Sequence, residues 1–228
     1  MKLPVSTPAL TLLLTLVLTA CASGPVAPAW EGNAKNALDT TVQNYLTGNT
    51  RAEEQDYARA YKELAATGRA DLLARAELTR CAARVASLVY DDCPAFKPLA
   101  ADAGAEQRAY ADYLAGRWQG LNGALLPKQH AAVLASPVNP AVLLQIQDPL
   151  SRLVAAGAML QRGDLRPEAL AEVATIASTT ASQQAWRRPL LAWLGLQAKQ
   201  AETRGDTNQV NSLNRRIALI LSTPSLKP

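Results

Sequence analysis

Few residues of this chain have the type and spacing that acid–base or metal chemistry requires. His130 is the single histidine among 228 residues, which excludes any metal centre built from several histidines. As a general base, His130 would need a nucleophile and an orienting acid close in space. Ser136 and Asp148 are available, but no motif selects either of them. The sequence therefore predicts a surface or helix-capping role for His130, and no metal site.

Two acidic pairs are the remaining candidates for a catalytic dyad. Adjacent residues of a helix point about 100° apart, so Glu53-Glu54 is not a dyad by sequence alone. Glu53 also completes a predicted capping box that begins at Thr50. Asp91-Asp92 precedes Pro94 and is typical of a turn. These observations favour a protein that is not an enzyme.

The first 21 residues, MKLPVSTPALTLLLTLVLTAC, have the layout of a secretion signal. Lys2 precedes an uncharged stretch from Ala9 to Ala20, which is shorter than the roughly 20 apolar residues that span a bilayer. The segment Leu18-Thr19-Ala20-Cys21 resembles the lipobox of bacterial lipoproteins. The alternative is an ordinary secretion signal with an unmodified cysteine behind it.

The lipoprotein resemblance implies a location and a covalent modification. Residues 1–20 would be removed, and Cys21 would carry a diacylglycerol on its sulfur and an acyl chain on its new amino group. Ala22 stands where an Asp tends to retain lipoproteins at the inner membrane, so the resemblance implies anchoring to the periplasmic face of the outer membrane. We expect no other cofactor.

The remaining cysteines, Cys81 and Cys93, form an even pair 12 residues apart. Because compartments outside the cytoplasm are oxidising, the sequence predicts a disulfide between them. Two free buried thiols are the alternative. A metal site is disfavoured because no second pair of ligands accompanies these cysteines.

The composition indicates four segments. We predict a signal peptide over 1–20, the lipidated cysteine and a flexible tether over 21–35, one all-helical domain over 36–222 and a tail over 223–228. Prolines and glycines mark the tether, and Trp30 within it is a candidate contact for a partner or a membrane interface.

Apolar residues at helical spacing and a high alanine content predict an all-α fold. Helix-stop signals are clear, for example Gly163 followed by Asp164 and Gly205 followed by Asp206. These two corners resemble the helical hairpins of tetratricopeptide-like proteins. The fold class is therefore a helical-hairpin bundle or a short tetratricopeptide-like α-solenoid.

The formal net charge is +4, and the basic residues are spread along the chain. Without a cluster of Lys and Arg to follow phosphates, nucleic-acid binding is disfavoured. Trp186, Arg187 and Arg188 combine an aromatic ring with two cations and are candidate partner-binding residues. The alternative is a helix start with solvated arginines.

Three functions from different classes remain. The leading expectation, implied by the architecture of outer-membrane lipoproteins, is a non-enzymatic adaptor, assembly or scaffold factor for other envelope proteins. Its partner would bind in a groove. A concave face with Tyr57, Tyr61, Tyr110 and Tyr113 is one candidate for that groove, although core packing is the favoured role of these tyrosines. A periplasmic carrier of a lipid or small ligand is the alternative, and a cell-wall hydrolase-type enzyme is the third.

Overall fold

The computed structural model describes residues 28–222. The predicted signal peptide 1–20, the lipidation site Cys21, the beginning of the tether and the tail 223–228 lie outside the described residues. Within 28–222 the structure is all-helical and has no strand, as predicted. The α-helices are Ala29–Thr47 (α1), Thr50–Ala65 (α2), Ala70–Ala86 (α3), Ala105–Leu114 (α4), Lys128–Ala135 (α5), Pro149–Arg162 (α6), Pro167–Gln183 (α7), Arg187–Thr203 (α8) and Thr207–Ser222 (α9). Short 3-10 helices cover Lys97–Leu99, Gly123–Leu125 and Pro140–Gln145.

The helices form a bundle around α3. Helices α1 and α2 make a hairpin that packs on α3 and α8, and α7, α8 and α9 follow one another as packed neighbours. Helix α6 lies between α3 and α7. Fully buried side chains of this core include Tyr113, Leu153, Met159, Trp193 and Leu194. None of the helices in the described part of the chain is long and apolar enough to cross a membrane.

Several helix ends follow the local sequence closely. Asp148 accepts a hydrogen bond from the Ser151 amide at 2.7 Å, Pro149 occupies the first helical position of α6, and Gly163 ends that helix with φ +83°.

The capping box at Thr50 was predicted wrongly. The cap of α2 is Asn49, whose side chain accepts from the Ala52 amide, and the Glu53 side chain turns inward to arginines.

The part of the predicted tether that the structure describes is mostly helical. Residues 29–35 belong to the first turns of α1, which begins directly after Pro28. The reason is local burial: Ala34 is buried in a small apolar cluster with Leu64 and Ala76, and Trp30 packs against that cluster. Trp30 is therefore half-buried and is part of the helical domain.

A disulfide and a glycine lie at two contacts of α3. Cys81 and Cys93 form a disulfide with their Cα atoms 5.4 Å apart, and so join α3 to the loop that follows it. Gly157 of α6 lies so close to α3 that a Cβ atom there would overlap the carbonyl oxygen of Val85. The Tyr90 hydroxyl donates to the carbonyl oxygen of Gly157 at 3.0 Å. The packing of α3 on α6 is consequently tight.

Candidate functional site

A cleft of about 810 Å³ lies between α3, α4, α5 and α6. The first turn of each of these helices contributes to its wall: Asp71 of α3, Glu106 of α4, Gln129 of α5 and Ser151 of α6. Helix N-termini carry partial positive charge and amides without intrahelical partners. The cleft is therefore bordered by groups that favour hydrogen-bond acceptors.

His130 lies at the floor of the cleft and is only 2% exposed. Its Nδ1 atom lies 3.2 Å from the hydroxyl oxygen of Tyr113. Burial lowers the pKa of His130 from 6.5 to about 4, against a smaller opposing effect of Asp148, so the imidazole is neutral near pH 7. The predicted surface or capping role of His130 is thus wrong, because His130 and Val133 form the inner face of the short helix α5.

An aromatic stack supports the floor of the cleft. The rings of Tyr113 and Trp118 are stacked with centroids 5.0 Å apart, and those of Tyr110 and Tyr113 are stacked at 6.2 Å. The His130 ring lies 4.9 Å from the Tyr113 ring. The Trp118 indole donates to the Tyr113 carbonyl oxygen at 2.8 Å, which fixes the stack to the end of α4. Burial raises the pKa of Tyr110 and of Tyr113, so both hydroxyls keep their protons.

Two glutamines hold the helix starts in position around the cleft. Gln107 accepts from the Gly104 amide and donates to the Asp71 carbonyl oxygen, both at 2.8 Å, and so ties the start of α4 to the start of α3. Gln129 donates to the Ser151 hydroxyl oxygen at 3.4 Å and joins α5 to α6. The positions of the four helix starts are therefore set by polar contacts within the cleft wall.

A second polar region, the charged cluster, lies between α2, α3 and α8. It consists of Glu53, Tyr57, Glu77, Arg80 and Arg188. The Arg80 guanidinium lies 3.3 Å from Glu53 and 3.5 Å from Glu77, and it covers the Tyr57 ring at 3.8 Å. The Tyr57 hydroxyl donates to Glu77, and burial together with this hydrogen bond raises the pKa of Tyr57. The carboxylates of this cluster already have cationic or hydroxyl partners.

The partner-binding residues predicted around the start of α8 have internal contacts. Trp186 is buried, and its indole donates to the Gln43 side chain at 3.3 Å. Arg188 donates to the Thr50 hydroxyl at 2.6 Å, and Arg187 donates to the Leu221 carbonyl oxygen at 3.4 Å. This segment connects α8 to the α1–α2 hairpin and to α9. Trp186 is therefore a core residue in this structure.

The four tyrosines do not form one concave face. Tyr57 and Tyr61 lie on α2, 6.2 Å apart between ring centroids, whereas Tyr110 and Tyr113 lie on α4. Of these four tyrosines, only Tyr110 lines the cleft.

Within residues 28–222 no group of three or more His, Cys, Asp or Glu side chains is placed to hold a metal ion. Comparison of the chain with protein-family models, with curated proteins and with solved structures finds no match.

Proposed function

We propose that this chain is a lipid-anchored, non-enzymatic adaptor at the periplasmic face of the outer membrane. In this proposal the cleft binds a segment of another envelope protein. The observation that carries it is the cleft itself, which is bordered by four helix starts and has a buried histidine at its floor. The lipobox resemblance at Cys21 supports the anchor.

The hydrogen bonds of the cleft favour binding over catalysis. A serine–histidine–acid arrangement needs the histidine bonded to the nucleophile and to a carboxylate. Here Nδ1 of His130 faces the Tyr113 hydroxyl, and Ser151 has Gln129 as its side-chain partner. Asp148 is engaged as the cap of α6. We therefore assign no catalytic residue and no cofactor beyond the acyl chains proposed on Cys21.

The anchor is tested by replacing Cys21 with Ala and separating membranes from soluble periplasm. We expect the protein to leave the membrane fraction. The matched variant Ala22→Asp keeps the cysteine and should move the protein to the inner membrane. Unchanged retention of the Cys21→Ala protein in the outer membrane would contradict the lipoprotein proposal.

The binding site is tested by placing a photo-crosslinking amino acid at Ala124, an exposed residue that lines the cleft. We expect one dominant crosslinked envelope protein after irradiation of cells. The control position is Asn211, which is exposed on α9 away from the cleft. The proposal fails if Ala124 gives no adduct, or if both positions give the same set of adducts.

A small-ligand carrier is the second candidate, because the cleft volume falls within the roughly 300–1,000 Å³ of small-molecule sites. Native mass spectrometry of the purified full chain separates the two functions. A co-purifying small molecule that is lost when Ala124 is replaced by Trp would favour the carrier.

A further inference from the structure

The protonation state of His130 follows from its buried neighbour. A neutral imidazole has one nitrogen that donates and one that accepts. Tyr113 is fully buried, and the hydrogen bond to Nδ1 of His130 is the one its hydroxyl makes within the described residues. A buried hydroxyl proton without an acceptor costs about 1–3 kcal/mol. Tyr113 therefore donates to Nδ1, and the imidazole proton resides on Nε2.

The Nε2–H group faces the cleft. Nε2 makes no hydrogen bond within residues 28–222, although the His130 side chain lines the cleft. The fully enclosed side-chain atoms that lack hydrogen bonds in this part of the chain belong to Glu77, Arg80 and Arg84. Nε2 is not among them, so it is not sealed by protein. The Tyr110 hydroxyl likewise makes no hydrogen bond within residues 28–222 and is not fully enclosed by protein. Tyr110 also lines the cleft.

Several side-chain donors of the cleft have no acceptor among the described residues. Ser151 accepts from Gln129, which leaves its own proton free to donate. With Nε2–H of His130 and the Tyr110 hydroxyl, three donors line one cleft. The formal charges nearby do not favour an anion, because Asp71, Glu106 and Asp148 outnumber Arg75 around the cleft. An acceptor without negative charge fits this arrangement best.

We propose that the cleft recognises an uncharged amide, and that the amide carbonyl oxygen accepts a hydrogen bond from Nε2–H of His130. Peptide backbone and the side chains of Asn and Gln carry this group. The ligand class rests on the proposed function of the cleft, whereas the position of the proton on Nε2 does not.

The test uses the full chain, labelled with ¹⁵N-histidine, in detergent. Because His130 is the single histidine, one pair of ring nitrogen signals is expected. The signal of Nε2 should be that of a protonated nitrogen, and the signal of Nδ1 that of an unprotonated one. Addition of acetyl-Ala-Ala-Ala-methylamide should shift the Nε2 signal more than the same peptide with a free terminal carboxylate.

Two substitutions at the cleft and one control in the charged cluster separate recognition from folding. His130→Phe should weaken binding of the blocked peptide about tenfold, as expected for the loss of one hydrogen bond of about 1.4 kcal/mol. Tyr113→Phe frees Nδ1, so the signals should become those of mixed protonation on both nitrogens. Tyr57→Phe makes the same change in the charged cluster and should leave the His130 signals unchanged.

The outcomes are distinguishable. A proton on Nδ1 in the unmodified protein, or tighter binding of the carboxylate peptide, overturns the inference. If Ala124 crosslinks a partner while the blocked peptide leaves Nε2 unmoved, amide recognition fails and the adaptor function stands. If the blocked peptide shifts Nε2 but Ala124 crosslinks no protein, the adaptor function fails and amide recognition stands.

Discussion

The charged cluster and the cleft both place polar side chains inside the bundle, but they treat those side chains differently. In the charged cluster, Arg80 lies within ion-pair distance of Glu53 and Glu77, and Tyr57 donates to Glu77. In the cleft, Nε2 of His130 and the Tyr110 hydroxyl have no partner among the described residues. The contrast separates polar groups that hold helices together from polar groups that are open to a ligand.

The difference also explains why the charged cluster is the poorer candidate for a ligand-binding site, although its side chains are charged. Buried charges are tolerated in proteins when they are paired, and the charged cluster meets that condition by linking α2, α3 and α8. In the cleft, by contrast, the Nε2–H group of His130 and the Tyr110 hydroxyl have no hydrogen-bond partner among the described residues, and both rings contact Tyr113. Substitutions should therefore reduce stability in the first region and recognition in the second.

The largest effect is expected for Arg80→Ala. Removing this cation leaves Glu53 and Glu77 buried without their shared partner, which should lower the free energy of unfolding by about 4 kcal/mol. Arg75→Ala, on the same helix but exposed, should change it by less than about 0.5 kcal/mol. Urea unfolding measures both, and equal losses would remove the distinction between the two regions.

Acid should destabilise the protein through His130. Its pKa is 6.5 when unfolded and about 4 when folded, so the unfolded chain binds the proton more readily. The neutral imidazole therefore makes its full contribution to the free energy of unfolding above pH 6.5. That contribution is lost as the pH decreases toward 4, and the loss amounts to about 3 kcal/mol. His130→Gln cannot titrate, so the stability difference between the two proteins should change by that amount between pH 7.5 and pH 4. Parallel stability curves would show that burial does not hold the imidazole neutral.

Gly157→Ala should perturb the cleft through its scaffold. The added methyl group overlaps the Val85 carbonyl where α6 crosses α3, and such overpacking costs about 2 kcal/mol. We expect a lower melting temperature and shifted His130 ring signals. At Gly195 of α8, an added Cβ atom would meet no atom of another described element within 4 Å, so Gly195→Ala should raise the free energy of unfolding by about 0.5–1 kcal/mol. A tolerated Gly157→Ala would contradict the close approach of α3 and α6.

The smallest change in stability is expected for Tyr110→Phe. Its hydroxyl makes no hydrogen bond within residues 28–222, so the free energy of unfolding should change by less than about 0.5 kcal/mol. Tyr57→Phe, which removes a hydrogen bond to Glu77, should lower it by about 1–2 kcal/mol. Crosslinking from Ala124 should nevertheless decrease in Tyr110→Phe. An unchanged adduct yield would remove the Tyr110 hydroxyl from the proposed site.

Local signals made much of the fold predictable. Asp148-Pro149 begins α6 and Gly163 ends it, because capping and left-handed backbone depend on the residues themselves. Cys81 and Cys93 were predicted to pair because they are the two cysteines left in an oxidising compartment, and the structure confirms this disulfide. Thr50 and Asn49 show the limit of such signals: both can cap a helix, and the arginine partners of Thr50 and Glu53 come from distant parts of the chain.

The cleft was not predictable because its residues share no motif. Four helices bring their first turns together, and Asp71 and Ser151 are 80 positions apart in the chain. His130 is typical of a surface position when only its neighbours Lys128 and Gln129 are considered. Its burial depends on Tyr113 and on the tertiary packing of α5.

The direction of α1 bears on the distance between the cleft and the proposed membrane anchor. Asn33 near the start of α1 contacts Glu63 near the end of α2 at 3.5 Å, and Leu72 packs against the same apolar cluster as Trp30. The start of α3, and with it Asp71 at the rim of the cleft, therefore lies at the end of the bundle where α1 begins. The chain from Cys21 to Pro28 covers at most about 25 Å. Under the proposed anchor, the cleft samples only a thin layer of periplasm next to the bilayer, so a partner confined to the same membrane would encounter it at a high effective concentration.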